Sequence, residues 1–364
     1  MSLAALGPAK PLVLAGSPRK QGIEHGRRAR QEILANLNLV RRGMLDLAAR
    51  GRSYDYEGLL ARNEAFVQRE APEILEEVQG IGEGAEVPYR DLLLLNLPLY
   101  FVGILMPLEC SQILVAPPAT ADGRIYLAKT RDLSRGRLEH VVLHRRYDDG
   151  RELIEVGAAG SITWPGSGIN SDGLALSTSG VWSKRTVIDL DRAARGWLLI
   201  NSHLLLRDSR SVDDLAERLS AQPRVTGLNL VATDRHAAAA FEATADRVYR
   251  QEAEGGILVR TNHFLTPEIR RLAPTPEEHP SSYHRYQVAV ARLRQQHGQW
   301  DSSRLAGLLA DHNGYPQLSI CRHAQNGEGA DTIYASIASL PEGELWSTLD
   351  NPCKSLTPDQ PAAE

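Results

Sequence analysis

The sequence predicts an α+β protein built as a layered sandwich of helices and antiparallel strands. Helical periodicity dominates the first hundred residues, and from about residue 109 short β-rich segments separated by turn-forming residues replace it. Helices then return and more strands follow, an order unlike the regular strand–helix alternation of a parallel sheet. The 364 residues are 42% apolar and 24% charged, as in folded globular chains, and no linker or repeat divides them.

The N-terminal helices are predicted from apolar spacing and from glycine and proline positions. Apolar side chains recur every three or four residues along one helix face, at Ile33, Leu37, Val40, Met44 and Leu47. Gly51 is expected to end this helix. A second helix is predicted at 56–80 with a break at Pro72, and a third from Pro88 to near Pro107.

The remaining elements are predicted from β-rich runs and their turns. Strands are expected at 11–15, 112–116, 124–129, 138–147, 152–157, 174–181, 225–233, 237–243, 256–260, 331–339 and 343–348. Helices are expected at 194–206, 211–220, 283–296 and 301–312. Gly166–Ser167–Gly168 is predicted to be a turn, because it lacks the third glycine and the strand–helix context of a dinucleotide site. The polar tail at 355–364 is expected to be disordered.

Charge and hydropathy exclude several partners. The net charge is −4 with no basic block, so no nucleic-acid partner is expected. The apolar run at 92–108 contains Asn96 and Pro98 and is shorter than a membrane span, which favours a buried helix and no membrane partner. The N-terminus lacks the basic region of a secretory signal. Three cysteines without a CxxC pair argue against disulfides, so a cytoplasmic location is expected; the oligomeric state stays open.

No metal and no cofactor are expected from the motifs. His140 and His144 are four residues apart in a predicted strand, which places them about 13 Å apart, too far to share an ion. The chain has no HExxH and no GxSxG motif.

Cys110 is the main candidate for chemistry because it lies where the helical pattern changes to strands. A single cysteine entering a strand is most often a small buried apolar residue. A catalytic role for Cys110 therefore needs support from the residues around it. It is followed at short range by the turn ADGR and by YLAKTRDLS at 126–134.

Nine sequence blocks around this junction carry a family resemblance. They are GSPRKQGIEHG at 16–26, EEVQGIGEGAEV at 76–87, the Cys110 junction, ADGRIYLAKTRD at 121–132, GINSDGLALSTSG at 168–180, LNLVATDRHAAAAFEAT at 228–244, LVRTNHF at 258–264, SSYHRYQ at 281–287 and YPQLSICR at 315–322. The chain resembles the isopenicillin N acyltransferase (acyl-coenzyme A:6-aminopenicillanic acid acyltransferase) family of cysteine N-terminal-nucleophile hydrolases. It resembles the choloylglycine and penicillin V hydrolases more distantly.

The resemblance implies a four-layer αββα sandwich of two antiparallel sheets between helical layers. It also implies self-cleavage between Glu109 and Cys110. Residues 1–109 would then be a helical α-fragment and residues 110–354 a β-fragment of the same domain. The new α-amino group of Cys110 would act as general base for its own thiol. Because an α-amino group titrates near 7.7–8.0 and a thiol near ~8.5, one residue can hold both functions near working pH.

The resemblance assigns roles to further residues. Asn262 matches the asparagine of the oxyanion hole, and a backbone N–H near Ser179 or Gly180 is a candidate second donor. Asp132 matches the aspartate, placed after the second strand, that holds the new ammonium. Lys129 lies where the choloylglycine relatives carry an arginine. A cation there favours the thiolate, and Arg131 is the alternative cation.

Several points remain open from the sequence. Ser319 matches a family position of less defined role, and Cys321 beside it is expected to be a buried core residue. Glu109 departs from the resemblance, because the penicillin enzyme has glycine before the nucleophile, and a glutamate there predicts slower cleavage or use of its carboxylate. Ser111 stands where threonine is frequent.

The expected substrate is a small-molecule acyl amide or thioester, with water or an amine as acceptor. One alternative is a Cys–His hydrolase that pairs Cys110 with His263 or His323 without self-cleavage. The other is a non-catalytic binding relative with the same sandwich and an unreactive, buried thiol.

Overall fold

Two β-sheets lie face to face between layers of helices. The computed structural model describes residues 1–49, 55–96, 108–133, 138–163, 166–181, 189–197 and 201–355. The strands are β1 (Ala4–Leu6), β2 (Leu12–Ala15), β3 (Leu108–Val115), β4 (Ile125–Leu133), β5 (His140–Arg146), β6 (Glu152–Ala158), β7 (Ser167–Asn170), β8 (Ala175–Val181), β9 (Gly227–Thr233), β10 (Ala238–Ala243), β11 (Val248–Glu252), β12 (Ile257–Arg260), β13 (Asp331–Leu340) and β14 (Glu344–Thr348).

Helices cover the outer faces of both sheets. They are α1 (Pro18–Arg28), α2 (Arg30–Ala49), α3 (Tyr56–Glu70), α4 (Pro72–Ala85), α5 (Tyr89–Asn96), α6 (Leu190–Ala193), α7 (Ser202–Asp208), α8 (Val212–Ala221), α9 (Pro280–Gln295), α10 (Ser302–Leu309) and α11 (Pro352–Ser355). None of the helices in the described ranges is long and apolar enough to cross a membrane.

The strand order confirms the predicted four-layer arrangement. One sheet has the order β1-β14-β13-β4-β3-β12, and the other has the order β11-β10-β9-β8-β7-β6-β5-β2. Strands β3 and β4 contact β8 of the facing sheet. Helices α9 and α10 pack on the first sheet, whereas α1, α7 and α8 pack on the second. Apolar side chains from both sheets fill the core between them.

Residues before Cys110 contribute to both sheets. Strand β1 pairs in parallel with β14, and β2 pairs in parallel with β5. Arg145 on β5 lies 2.5 Å from Glu77 on α4 and 2.6 Å from Glu155 on β6, all three being buried. A cut before Cys110 would therefore leave the two fragments joined by strand pairing, core packing and a buried ion pair.

Close packing of α1 on α4 explains two of the glycine-containing sequence blocks. A Cβ atom on Gly22 or Gly26 would overlap a backbone carbonyl oxygen of α4, and one on Gly80 or Gly84 would overlap a carbonyl oxygen of α1. Only glycine allows the two backbones to approach this closely.

The structure corrects several of the predicted element boundaries. Strand β3 begins at residue 108 and not at 112, and β4 extends to Leu133, so Asp132 lies within the strand and not after it. Ser167 and Gly168 belong to strand β7 and are not a turn. They pair with β8. The sequence did not reveal this strand because four residues with a single apolar side chain, Ile169, are too few to show the alternation that identifies strands.

Other differences concern short or composite elements. Strands β1 and β11 were not predicted, because each is short and lies at a sheet edge. The predicted helix at 194–206 is wrong over its first part: Trp197 forms a β-bridge with Arg224, and α7 begins only at Ser202. The break at Pro72 is confirmed, since α3 ends at Glu70. The predicted helix ends at Gly51 and Pro107 and most of the tail, 356–364, lie outside the described residues.

Candidate active site

Cys110 is the third residue of β3 and its side chain lies between the two sheets. In the antiparallel pairing of β3 with β4, Cys110 is opposite Arg131 and Gln112 is opposite Lys129. Paired residues point to one face of a sheet, and this face meets β8: Gln112 hydrogen-bonds Ser177 at 3.0 Å. The Cys110 side chain is fully buried in the intact chain.

Lys129 is the cation beside the thiol. Its Nζ donates to the carbonyl oxygen of Thr178, and the Cys110 side chain is near enough to favour the charged ammonium. Burial lowers the pKa of Lys129 to about 8, a shift that the proximity of Cys110 limits. The guanidinium of Arg131 lies over the ring of Tyr334, with 5.4 Å between the Arg131 Cζ atom and the ring centroid. The described contacts thus favour Lys129 over Arg131.

Asn262 lies against the backbone of Cys110. It follows the end of β12, and its Oδ1 accepts the backbone N–H of Cys110 at 2.9 Å. Its Nδ2 donates to the carbonyl oxygen of Gly180 at 2.9 Å, and its own backbone N–H donates to Ser282 Oγ at 2.8 Å. Asn262 is therefore fixed between β8 and α9 at the nitrogen that cleavage would release.

Glu109 points to the opposite face of β3, toward the helices. Its Oε2 lies 2.5 Å from Arg322 and 3.1 Å from Arg285, and it accepts a hydrogen bond from Ser281 Oγ at 2.9 Å. Burial alone would raise the pKa of Glu109, but Arg322, His279 and Arg285 outweigh it and hold the pKa well below its usual range. The carboxylate is therefore an anchored anion and a weak base.

Asp132 is the cross-strand neighbour of Glu109 and shares its face of the sheet. Thr332 Oγ1 donates to its carboxylate at 2.7 Å, and Arg322 lies 4.0 Å away. Burial raises the pKa of Asp132 to about 6 despite the nearby arginines. Asp132 thus lies opposite Glu109, the residue next to Cys110 in the strand. From the sequence, it is expected to hold the backbone nitrogen of Cys110.

Arg285 is the residue that the sequence analysis missed. Its guanidinium donates to the Cys110 carbonyl oxygen at 2.5 Å, to Ser111 Oγ at 2.9 Å and to Asn262 Oδ1 at 3.0 Å. It also holds Glu109, so it contacts both sides of the Glu109–Cys110 bond. The signal in the sequence was a four-residue spacing on α9 that forms its buried stripe, at Ser281, Arg285, Ala289 and Leu293. An arginine on the buried face of a helix requires an internal partner.

The two predicted supporting serines lie in different surroundings. Ser179 Oγ hydrogen-bonds Gln112 at 3.0 Å and the carbonyl oxygen of Thr261 at 2.7 Å, so it joins β3 to the segment that carries Asn262. Ser319 Oγ donates to the carbonyl oxygen of Cys321 at 2.6 Å and holds its own loop. Cys321 is fully buried, as predicted.

Neither histidine of the Cys–His alternative has a described contact with Cys110. His263 Nδ1 lies 2.8 Å from Ser282 Oγ, and its ring stacks on Tyr283 with 3.9 Å between centroids. Burial and Arg285 lower its pKa to about 3. His323 contacts His312 and two other cysteines. The geometry in the described residues does not support this alternative.

A cavity of about 300 Å³ is lined by residues other than the candidate catalytic ones. It lies between β12 and α9, and its lining includes Arg260, Tyr286 and His297.

Comparison with known proteins decides the family. The model of the family described as acyl-coenzyme A:6-aminopenicillanic acid acyl-transferase matches residues 119–354, which is more than half of the chain. The chain belongs to this family. Membership confirms the resemblance and the enzyme class, an enzyme of acyl transfer or amide hydrolysis. The match includes Asp132 and Asn262 and begins after Cys110.

Individual proteins are also similar to this chain. The chain is 23% identical over 338 residues to the 40 kDa form of acyl-coenzyme A:6-aminopenicillanic-acid-acyltransferase of Emericella nidulans, covering 88% of this chain and 87% of that protein. Two solved structures are also similar, each at 13% identity. A variant of conjugated bile acid hydrolase from Clostridium perfringens has a TM-score of 0.42 and covers 66% of this chain and 89% of that one. Penicillin V acylase from Agrobacterium tumefaciens has a TM-score of 0.38 and covers 63% and 79%.

If the Cys110 thiol is the reacting group, Lys129→Met is expected to slow its reaction without lowering the stability of the chain. Loss of the cation beside the thiol should slow formation of any Cys110 thioester on the order of 10²-fold. Because folding lowers the pKa of Lys129 to about 8, its burial cost is fully present below pH 8 and is relieved as pH rises toward 10.5. At pH 7 that burial cost is about 3 kcal/mol, and Lys129→Met removes it. The variant also leaves the Thr178 carbonyl without its donor, which costs about 1–3 kcal/mol, so the two changes in the free energy of unfolding offset each other.

The measurement is the fraction of intact chain over time by mass spectrometry, together with the free energy of unfolding at pH 7. Lys20→Met, at an exposed lysine, is the control and should change neither value. A loss of stability that parallels the slower cleavage would assign Lys129 a purely structural role.

Proposed function

We propose that this chain is a self-processing cysteine amidase or acyltransferase with Cys110 as its nucleophile. The observation that supports this most strongly is the convergence of polar contacts on one peptide bond. Asn262 accepts the N–H of Cys110, Lys129 interacts with its thiol, and Arg285 spans the bond from the Cys110 carbonyl to the Glu109 carboxylate. Any buried residue needs partners for its backbone N–H and carbonyl, but a purely apolar cysteine has no use for a buried lysine beside its thiol, because burying an ammonium is costly.

Self-cleavage is proposed to begin with attack of the Cys110 thiolate on the carbonyl carbon of Glu109. The thiol proton passes to the departing nitrogen of Cys110, the C–N bond breaks, and a thioester joins Glu109 to the Cys110 sulfur. Water then hydrolyses the thioester, which leaves a carboxylate on Glu109 and a free α-amino group and thiol on Cys110. The Glu109 side chain, anchored by Arg285 and Arg322, keeps the scissile carbonyl in place during both steps.

In turnover, the released α-amino group is proposed to take the thiol proton while the sulfur attacks an acyl substrate. The amide group of Asn262 would donate to the developing oxyanion, a contribution of about 2.7–4 kcal/mol for a side-chain donor. Asp132, which pairs with Glu109 on the neighbouring strand, would hold the new ammonium of Cys110. Because the thiol is fully buried in the intact chain, access of a substrate to it is proposed to depend on breaking the covalent link at residue 109.

The proposed substrate is a small acyl amide or acyl thioester. The family name and that of the fungal relative point to an acyl-coenzyme A thioester and to a β-lactam amine as the chemical types to test first. Hydrolysis needs only water, whereas transfer needs a bound amine, so hydrolysis is the minimal activity. A cytoplasmic location fits three unpaired thiols in the described structure.

Mass spectrometry and N-terminal sequencing of the purified protein test the proposal. The expected result is a pair of co-purifying fragments, residues 1–109 and 110–364, with Cys110 as the new N-terminus. Incubation with an acyl thioester should then add the acyl mass to the second fragment only. A chain that stays whole and takes up no acyl group would instead favour the non-catalytic alternative.

A panel of acyl amides and acyl thioesters, each with and without an added amine, separates hydrolase from transferase. Release of free acid at the same rate in both conditions indicates hydrolysis. Formation of a new amide at the expense of free acid indicates transfer, because both products arise from one acyl-enzyme.

A further inference from the structure

Four side chains with metal-binding atoms meet at the C-terminal end of the described chain. They are His312, Cys321, His323 and Cys353, and their candidate ligand atoms all lie within 4.8 Å of one another. None of them contacts Cys110 among the described residues, and the proposed reaction uses none of them. Cys321 is buried, whereas His312 and Cys353 are exposed, so the cluster opens to solvent on one side.

The measured separations fit tetrahedral coordination. His323 Nε2 lies 3.1 Å from His312 Nε2, 3.5 Å from Cys321 Sγ and 3.4 Å from Cys353 Sγ. Zinc bonds of about 2.0–2.3 Å to nitrogen and sulfur place tetrahedral ligands about 3.3–3.8 Å apart. The cluster therefore needs shifts of at most about 1 Å to close around one ion.

We propose that these four residues form a structural zinc site. Two thiolates and two imidazoles are a donor set that zinc takes with four protein ligands and no open position. The order of the ligands, His312, Cys321, His323 and then Cys353 on α11, matches no sequence motif for zinc, so the sequence analysis expected no metal.

Backbone contacts around the cluster support a structural role. The Cys321 N–H donates to the Asp311 carbonyl at 3.1 Å, and the His323 N–H donates to the Pro316 carbonyl at 3.1 Å. Asn351 Nδ2 donates to the Arg322 carbonyl oxygen at 2.8 Å, immediately before α11 begins. The loop and the last helix are thus already held together where the ligands converge.

The site would also fix the arginine that anchors Glu109. Arg322 lies between the ligands Cys321 and His323, and its side chain reaches the Glu109 carboxylate. An ion that joins both neighbours of Arg322 to α11 limits the movement of this loop, which has no helix or strand of its own at 319–323. Zinc would therefore stabilise the packing of α11 and the position of Arg322 together.

Cobalt binding to the reduced full-length protein tests the site. After chelation and removal of the chelator, Co²⁺ titration should saturate at about one ion per chain, with a thiolate-to-cobalt charge-transfer band and the visible absorption of tetrahedral cobalt. Zinc should abolish both bands and raise the melting temperature of the apo protein. Cys353→Ser and His312→Ala, at exposed positions, should lose the bands and the zinc-dependent shift.

Two variants serve as controls. His297→Ala removes an exposed histidine outside the cluster, and Cys110→Ala removes the proposed nucleophile; both should bind cobalt as the wild type does. Because Cys110→Ala leaves the cluster intact, the experiments can contradict the proposed zinc site without contradicting the proposed reaction, and the reverse. Absence of a thiolate–cobalt band, or a band that persists in Cys353→Ser, would overturn the site. So would a Cys321–Cys353 disulfide in the isolated protein with no metal uptake after reduction.

Discussion

Cys110→Ala is expected to leave one uncleaved chain of 364 residues that has neither amide-hydrolysing nor acyl-transferring activity. The variant removes the only atom that can form a thioester at this position, and with it both the cleavage step and turnover. Loss of a covalent nucleophile from a unit of cooperating residues lowers kcat on the order of 10⁶-fold. Intact mass and a sensitive assay with an acyl thioester measure the two losses.

Cys110→Ser separates the need for a nucleophile from the need for sulfur. Its hydroxyl is smaller and far less acidic than a thiol, so Lys129 stabilises its anion poorly, and cleavage should be slow but detectable. Both variants should keep the wild-type melting temperature within a few degrees, because the side chain loses little volume in a polar site. Cleavage of Cys110→Ala at residue 109 would show that another group, or another protease, cuts the chain.

The cleaved wild type should behave as one particle in gel filtration. The α-fragment supplies an edge strand to each sheet and places Glu77 on the buried Arg145, so separation of the fragments would expose core and leave that arginine without one carboxylate. Separating a buried ion pair in this way costs about 3–5 kcal/mol, apart from the apolar surface.

Much of the fold was predictable because its longer elements carry strong periodicity. The α+β class, the break at Pro72 and the strands that follow the Cys110 junction were predicted from apolar spacing and turn residues. The short edge strand β1 and the four-residue strand β7 were missed. Both form strands because they pair with other strands in the fold, and their own side chains show no clear strand pattern.

The sequence predicted the site residues that match a family motif but not the buried arginine that pairs with a carboxylate there. Cys110, Lys129 and Asn262 were named in advance, and the structure brings them together. Arg285 was missed because a sequence shows that an arginine falls on an apolar stripe but does not show which buried carboxylate pairs with it. The histidines and cysteines of the C-terminal cluster are up to forty-one positions apart in the chain, so only the fold could place them together.

Glu109→Gln is expected to lower the free energy of unfolding of the intact chain by about 3–5 kcal/mol at pH 7. The carboxylate is the anion that Arg322 and Arg285 share, and both arginines are buried. Glutamine keeps the shape but removes the charge, which leaves two buried cations with Asp132 as the nearest described carboxylate. Chemical denaturation of Glu109→Gln in the Cys110→Ala background measures the loss without interference from cleavage.

Glu83→Gln is the matched control, because its ion pair with Arg19 at 2.9 Å falls between the two Glu109 distances of 2.5 and 3.1 Å but is more than half exposed. That pair should contribute at most about 1 kcal/mol. A double-mutant cycle with Arg322→Met then isolates the coupling between Glu109 and Arg322. A Glu109→Gln loss no larger than that of Glu83→Gln would mean that the carboxylate is not held as described. A large loss with slower cleavage would instead show that the charge of Glu109, and not backbone freedom at this position, holds the scissile bond in place.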